Sequence, residues 1–237
     1  MKKILFFVSL LASTMAFANT ELQLDKAPVK LSDQASLQRG AKYFVNYCLS
    51  CHSAQAMRYN RLQDIGLTEQ QIKDNLIFTG AKVGDTMTSS MSKKDAMVAF
   101  GAAPPDLSVI SRSRGADYLY TYLRSFYRDD TRPTGWNNTV FDKVGMPHVL
   151  YELQGEQVLE VEKHGQHEVK KLVLAKPGKM SPAEFNGMVG DLVNYLAFMG
   201  EPMKATRMKL GVIVLLFLGG FFFVAYALKK EFWKDIH

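Results

Sequence analysis

Apolar positions recur at helical spacing in several stretches of the chain. Leu37, Ala41, Phe44 and Val45 follow Ser32 and Asp33, either of which can cap a helix, and predict a helix running into residues 48–52. Thr68, with Gln71 three residues later, predicts a short capped helix to Phe78. Leu119, Tyr122, Leu123 and Phe126 share one face of a helix predicted from Tyr118 to about Tyr127, with Asp117 as its cap. Ser181-Pro182-Ala183-Glu184 combines an N-cap, an N1 proline and an N3 glutamate. It opens a helix whose apolar face is Phe185, Met188, Val189, Leu192 and Leu196, closed by Gly200-Glu201-Pro202.

Between these helices the pattern changes. Val158 and Val161 before His164-Gly165, and Val169, Leu172 and Val173 after it, predict a small hairpin within Glu156 to Leu174. Gly80 to Lys94 reads as a surface loop, Pro104-Pro105-Asp106-Leu107 as a rigid extended segment, and Thr131 to Asn138 as a turn-rich loop.

Two apolar runs lack helical amphipathicity. Ile4 to Ala12, behind Lys2 and Lys3 and before Ala16-Phe17-Ala18, reads as a signal peptide over residues 1–18. Leu210 to Leu228 carries no charge and would span about 28 Å as helix, close to the ~30 Å hydrocarbon core of a bilayer. Tyr226, Phe232 and Trp233 with Lys229, Lys230 and Lys234 mark one interface. The net charge of +6 is no nucleic-acid signature, because residues 19–200 hold 21 Lys and Arg against 20 Asp and Glu. The excess lies in the leader and the membrane flanks, and no basic patch is interleaved with aromatics.

The chemistry concentrates at Cys48-Leu49-Ser50-Cys51-His52. This C-x-x-C-H pattern reads as covalent attachment of a c-type haem, with His52 as proximal ligand to the iron. A thioredoxin-like dithiol needs a βαβ surround that the pattern does not supply. A zinc site of four cysteines is excluded, since the chain has only two. Haem attachment of this kind takes place outside the cytoplasm. The expected organisation is therefore a leader at 1–18, a periplasmic haem c domain at 19–203, an anchor with its flank at 204–229, and a cytoplasmic tail at 230–237.

A low-spin electron-transfer haem needs a sixth ligand, commonly methionine sulfur. The sequence has 12 methionines, so composition does not choose among them. Met146 stands out because Gly145 permits close backbone approach and Pro147 stiffens its loop. His148, two residues on, is the alternative.

Taken together, these pieces resemble the cytochrome c1 family, the haem-bearing subunit of the ubiquinol–cytochrome c oxidoreductase (bc1) complex. The matching elements are the leader, CLSCH at 48–52, PPDLS at 104–108, RSRGADY at 112–118, TGWNN at 134–138, VGMPHVLYELQG at 144–155, and a helix leading into one C-terminal span. The resemblance implies a mainly α, class I c-type cytochrome fold with a small β-hairpin insertion and one transmembrane helix. It also implies one covalent haem c held by Cys48 and Cys51, ligated by His52 and Met146. Arg114 would face a haem propionate, and Pro104, Pro105 and Tyr118 would line the pocket.

The implied function is single-electron transfer from a Rieske iron–sulfur protein to a c-type cytochrome, beside a cytochrome b subunit, in a dimer of the whole complex. Such a subunit is not catalytic alone. A free-standing, membrane-anchored cytochrome c feeding a terminal oxidase or reductase is the other reading. The near-neutral soluble part departs from the acidic docking surface common in the family.

Overall fold

The computed structural model describes residues 23–164 and 167–235; the leader expected over residues 1–18 lies outside them. The domain is organised on two crossed helices, α1 (Gln34–Tyr47) and α7 (Pro182–Gly200). Asp33 caps α1 by accepting from the Ser36 amide, and Leu37, Ala41, Phe44 and Val45 are buried as their spacing predicts. Ser181 and Glu184 form the expected capping box of α7 behind Pro182.

The helix α7 is buried over most of its circumference rather than on one face. Other elements cover it from several sides, and this needs Gly40: a Cβ there would stand 2.1 Å from the Asp191 carbonyl oxygen and 2.7 Å from Tyr195 Cβ. Asn194, fully buried on α7, ties in the irregular segment before α1. It exchanges hydrogen bonds with the Lys30 backbone at 2.9 and 3.0 Å and donates to Ser36 Oγ at 3.0 Å.

Along the chain come β1 (Ala54–Arg58), a 3-10 helix (Tyr59–Ile65) and α2 (Glu69–Leu76), the last with the Thr68–Gln71 capping box. The expected surface loop at 80–94 holds β2 (Thr86–Met87), antiparallel to β1. Its Met87 is fully buried, accepting a hydrogen bond on sulfur from Tyr195 Oη at 3.6 Å. A further helix, α3 (Lys93–Phe100), is capped by Ser92.

After α4 (Ile110–Arg114) the predicted helix from Tyr118 is instead α5 (Ala116–Arg124). Its N-cap is Gly115, at φ 88°. Asp117 is occupied elsewhere, accepting from the Ala27 amide and Lys26 Nζ. The chain leaves α5 at Ser125 because Phe126 enters β3 (Phe126–Arg128), paired with β4 (Trp136–Asn138) inside the stretch expected to be a loop.

A short helix α6 (Tyr151–Gln154) precedes an antiparallel ribbon of β5 (Gly155–His164) and β6 (His167–Pro177). The ribbon is longer than predicted. It places Glu156 opposite Lys176, Leu159 opposite Leu172 and Glu160 opposite Lys171. Opposite charges and aliphatic pairs across the strands favour this register.

Last comes α8 (Lys204–Phe232), 29 residues and about 44 Å long, enough to cross a bilayer. None of its most apolar window is buried by the rest of the chain, as expected of a surface made for lipid. The fold is thus mainly helical, with small two-stranded sheets and one C-terminal apolar helix.

Candidate functional site

The C-x-x-C-H residues form a turn at the end of α1. The Cys48 carbonyl accepts from both the Cys51 amide (3.1 Å) and the His52 amide (2.8 Å), wrapping the five residues around one oxygen. This puts both thiols and the imidazole on the wall of one cavity. Both thiols are free. Burial, together with the neighbouring Cys51, pushes the Cys48 thiol up to about 12, so it rests as the neutral thiol.

PPDLS lies directly over this turn. The Pro105 carbonyl stands 2.8 Å from His52 Nδ1, the Ser53 carbonyl accepts from the Leu107 amide at 2.8 Å, and the Asp106 carboxylate accepts from the Gln55 amide at 2.9 Å. Ser108 Oγ continues the strap by accepting from the Ala56 amide at 3.0 Å. With Nδ1–H donating to a carbonyl, the imidazole is fixed in orientation and in tautomer, and Nε2 is left with a free lone pair. Burial holds His52 below the ordinary imidazole value, outweighing the Pro105 hydrogen bond and the Asp106 charge, so the ring is neutral and able to ligate.

The cavity has a volume of about 340 Å³, within the range of small-molecule sites. Its walls are largely apolar and aromatic, drawn from the 100–105 segment, α5, α7 and the 141–149 loop. Met146 stands on this wall, where its sulfur lies 3.5 Å from Tyr122 Oη. Gly145 passes close to the Phe100 carbonyl, 3.0 Å from where a Cβ would be, so its missing side chain lets the Met146 loop close down on α3.

The structure therefore brings Cys48, Cys51, His52, Pro105, Arg114, Tyr118 and Met146 to one cavity. The Arg114 guanidinium sits over the Tyr118 ring, 5.7 Å from its centre, and Tyr118 stacks on Tyr122. Arg114 has no carboxylate partner among the described residues, which leaves its donors for an anionic group at the cavity edge.

His148 is not on that wall. It is buried, stacked on Phe126 at 4.8 Å and edge-on to Trp136 at 5.0 Å. Its Nε2 has no hydrogen-bond partner among the described residues. Burial lowers it to about 4, the nearby Gln154 pulling weakly the other way. Asn137 and Asn138, both buried, tie the Met146 loop to β4 and α5. The sequence shows this pair only as part of a turn-rich loop and of the TGWNN match, without a role, although Asn-Asn within such a stretch is a recognisable signal for side chains bonding to nearby backbone.

These donors suit a haem. Two thiols on one turn can reach a porphyrin edge, a neutral imidazole and a thioether suit iron, and the apolar walls suit the ring. A mainly helical domain carrying such a pocket and tethered by a membrane-length helix has the makeup of an anchored c-type cytochrome.

Comparison with known proteins narrows this. A family model described as the Cytochrome C1 family matches residues 25–236. The chain is 51% identical over 242 residues to cytochrome c1 of Allochromatium vinosum, covering 100% of this chain and 99% of that protein. It is 53% identical over 238 residues to a protein of Nitrosomonas europaea named ammonia monooxygenase gamma subunit, covering 100% and 99%. Cytochrome c1 of Rhodospirillum rubrum is 29% identical over 241 residues, covering 86% and 83%. The chain belongs to the cytochrome c1 family, and the family implies haem c as its cofactor.

Proposed function

We propose that this chain is the haem c subunit of a ubiquinol–cytochrome c oxidoreductase, passing single electrons from a Rieske iron–sulfur protein to a c-type cytochrome. The observation that carries the reading is the convergence of Cys48, Cys51, His52 and Met146 on one apolar cavity. Family membership makes it a subunit of the bc1 complex, with cytochrome b and Rieske partners. The acceptor cytochrome and a dimer of the whole complex belong to the proposal.

Bound haem supplies the one-electron redox chemistry, and the protein's work is to hold, orient and tune it. The Cys48 and Cys51 thiols would each add across a vinyl group to form one thioether, fixing one haem covalently. His52 Nε2, its ring steered by Pro105, and the Met146 sulfur would be the two ligands to the iron. Arg114 would clamp a propionate, its positive charge favouring the reduced state. Pro105 and Tyr118 would line the ring's edge. Leu192 and Leu196 of α7 give the cavity an apolar wall, and no nucleophile or proton relay is required.

The boundaries are part of the same proposal: a leader at 1–18, a periplasmic haem domain at 19–203, an anchor at 204–229 and a cytoplasmic tail at 230–237. The apolar helix α8 supports a single span, and covalent haem attachment supports placing the domain on the outer side.

The test is to express the full chain in a host that matures c-type cytochromes and extract it with acidified acetone, which removes only non-covalent haem. The wild type should keep one haem per chain. Cys48→Ala should keep at most a single thioether, and the double variant Cys48→Ala/Cys51→Ala should lose the haem. Full extraction of haem from the wild type would contradict covalent attachment.

A further inference from the structure

The loop that carries Met146 is held by two buried amides that the electron-transfer reading does not use. Asn137 and Asn138 end β4, at 4% and 1% exposure. Asn138 Oδ1 accepts from the amides of Val140 (2.8 Å) and Phe141 (3.2 Å), while its Nδ2 donates to the Tyr122 carbonyl at 2.8 Å. Asn137 Oδ1 accepts from the amides of Asn138 and Lys143, both at 2.9 Å. Its Nδ2 donates to Asp129 Oδ2 and Asp142 Oδ1, both at 3.0 Å. Seven of the eight hydrogen bonds that two such amides can make are therefore formed among the described residues, all but the second N–H of Asn138.

Lys143, whose amide Asn137 holds, has φ 57° and is the one non-glycine in the left-handed region among the described residues. Its carbonyl accepts from Arg132 Nη2 at 3.2 Å. A lysine stays in that conformation only where its surroundings over-determine it. Here the bend turns the chain from the Asn137 amide into Val144, which is buried, and then to Gly145 against Phe100 and Met146 on the cavity wall.

We propose that Asn137 and Asn138 are positioning residues for the distal ligand, holding the 139–145 loop so that the Met146 sulfur is placed for iron. The proposal rests on the reading of Met146 as the sixth ligand. Asparagine is required at both positions because each amide must accept backbone N–H groups on one side and donate on the other. An aspartate at 137 would keep the acceptors, lose both donors, and place a third carboxylate beside Asp129 and Asp142.

The test uses the full-length holoprotein in detergent, read by the sulfur-to-iron charge-transfer band of the oxidised form and by carbon monoxide binding to the reduced form. Asn137→Asp and Asn138→Asp should lose the band and bind carbon monoxide, as Met146→Ala should. The swap Asn137→Asp/Asp142→Asn, which returns a donor facing residue 137, should recover part of the band. Asn194→Ala serves as the control, since Asn194 is equally buried and hydrogen-bonded but lies off the cavity wall. It should lower the melting temperature and leave the band intact.

A full band in both aspartate variants would overturn the proposal. So would loss of the band in Asn194→Ala to the same degree, which would reduce the two asparagines to general stability. Met146→Ala keeping the wild-type spectrum would instead defeat the ligand assignment itself, a distinguishable result.

Discussion

The Tyr122 hydroxyl lies 3.5 Å from the Met146 sulfur on the cavity wall. A thioether has two lone pairs, so the sulfur can accept this proton and still offer a pair to iron. The phenol stays protonated, because burial, helped by Tyr118, raises it well above the usual tyrosine range. A hydrogen bond on the sulfur draws electron density from it and disfavours the ferric state. Tyr122→Phe should therefore lower the midpoint potential. A neutral hydrogen bond is worth about 1 kcal/mol and 59 mV corresponds to about 1.4 kcal/mol for one electron, so the shift should be a few tens of millivolts. A redox titration of the purified holoprotein reads it directly.

Arg114 gives a second electrostatic prediction. Its guanidinium is exposed and rests over Tyr118 without a carboxylate partner among the described residues. Arg114→Gln removes a positive charge at the cavity edge and should also lower the potential. Because water screens an exposed charge, the change should be tens of millivolts and should shrink as salt is added. Potentiometry at low and high ionic strength separates this from the salt-insensitive effect at Tyr122.

His148 makes stability depend on pH. Its folded value of about 4 lies below the ~6.5 of an unfolded histidine, so between those values the unfolded chain binds more protons. Stability should therefore rise with pH across that window and fall as pH drops through it, by up to about 3 kcal/mol at about 1.4 kcal/mol per unit. His148→Phe keeps a ring against Phe126 and Trp136 and removes the titration. Melting curves across the window should show the wild-type slope flattened in that variant.

Gly40 tests the helix crossing. Any Cβ there would overlap the Asp191 carbonyl and Tyr195 Cβ, neither of which is the free end of a side chain. Gly40→Ala should force α1 and α7 apart and destabilise the protein by about 1–3 kcal/mol or more. Thermal unfolding of the holoprotein, followed by circular dichroism, measures the loss.

How much of this was legible beforehand follows from the range of each interaction. The Asp33, Thr68 and Ser181 caps are local; the sequence pattern predicts the last two outright and narrows the first to Ser32 or Asp33. Leu37, Ala41, Phe44 and Val45 need only a helical period, and they are the buried face of α1. The haem motif is a covalent pattern five residues long, and the membrane helix needs only an uninterrupted apolar run. What escaped the sequence depends on distant partners. The strap of 105–108 over 52–56 pairs segments about fifty residues apart, and nothing in PPDLS announces its target. Asp117 reads as a cap, yet Lys26 and Ala27 claim its carboxylate. The Tyr118 helix ends early because Phe126 finds Asn138 across a sheet. His148 reads as the alternative sixth ligand, but Phe126 and Trp136 bury it away from the cavity wall.

The most direct test of the whole account is purification of the tagged full-length chain in mild detergent, followed by a reduced-minus-oxidised spectrum and identification of its companions. The account predicts a c-type band accompanied by b-type haem bands and by an iron–sulfur protein with a Rieske signature. A c-type band alone would place the chain as a solitary anchored carrier. Companions from a monooxygenase, the assembly named for the Nitrosomonas relative, would contradict the assignment to quinol oxidation.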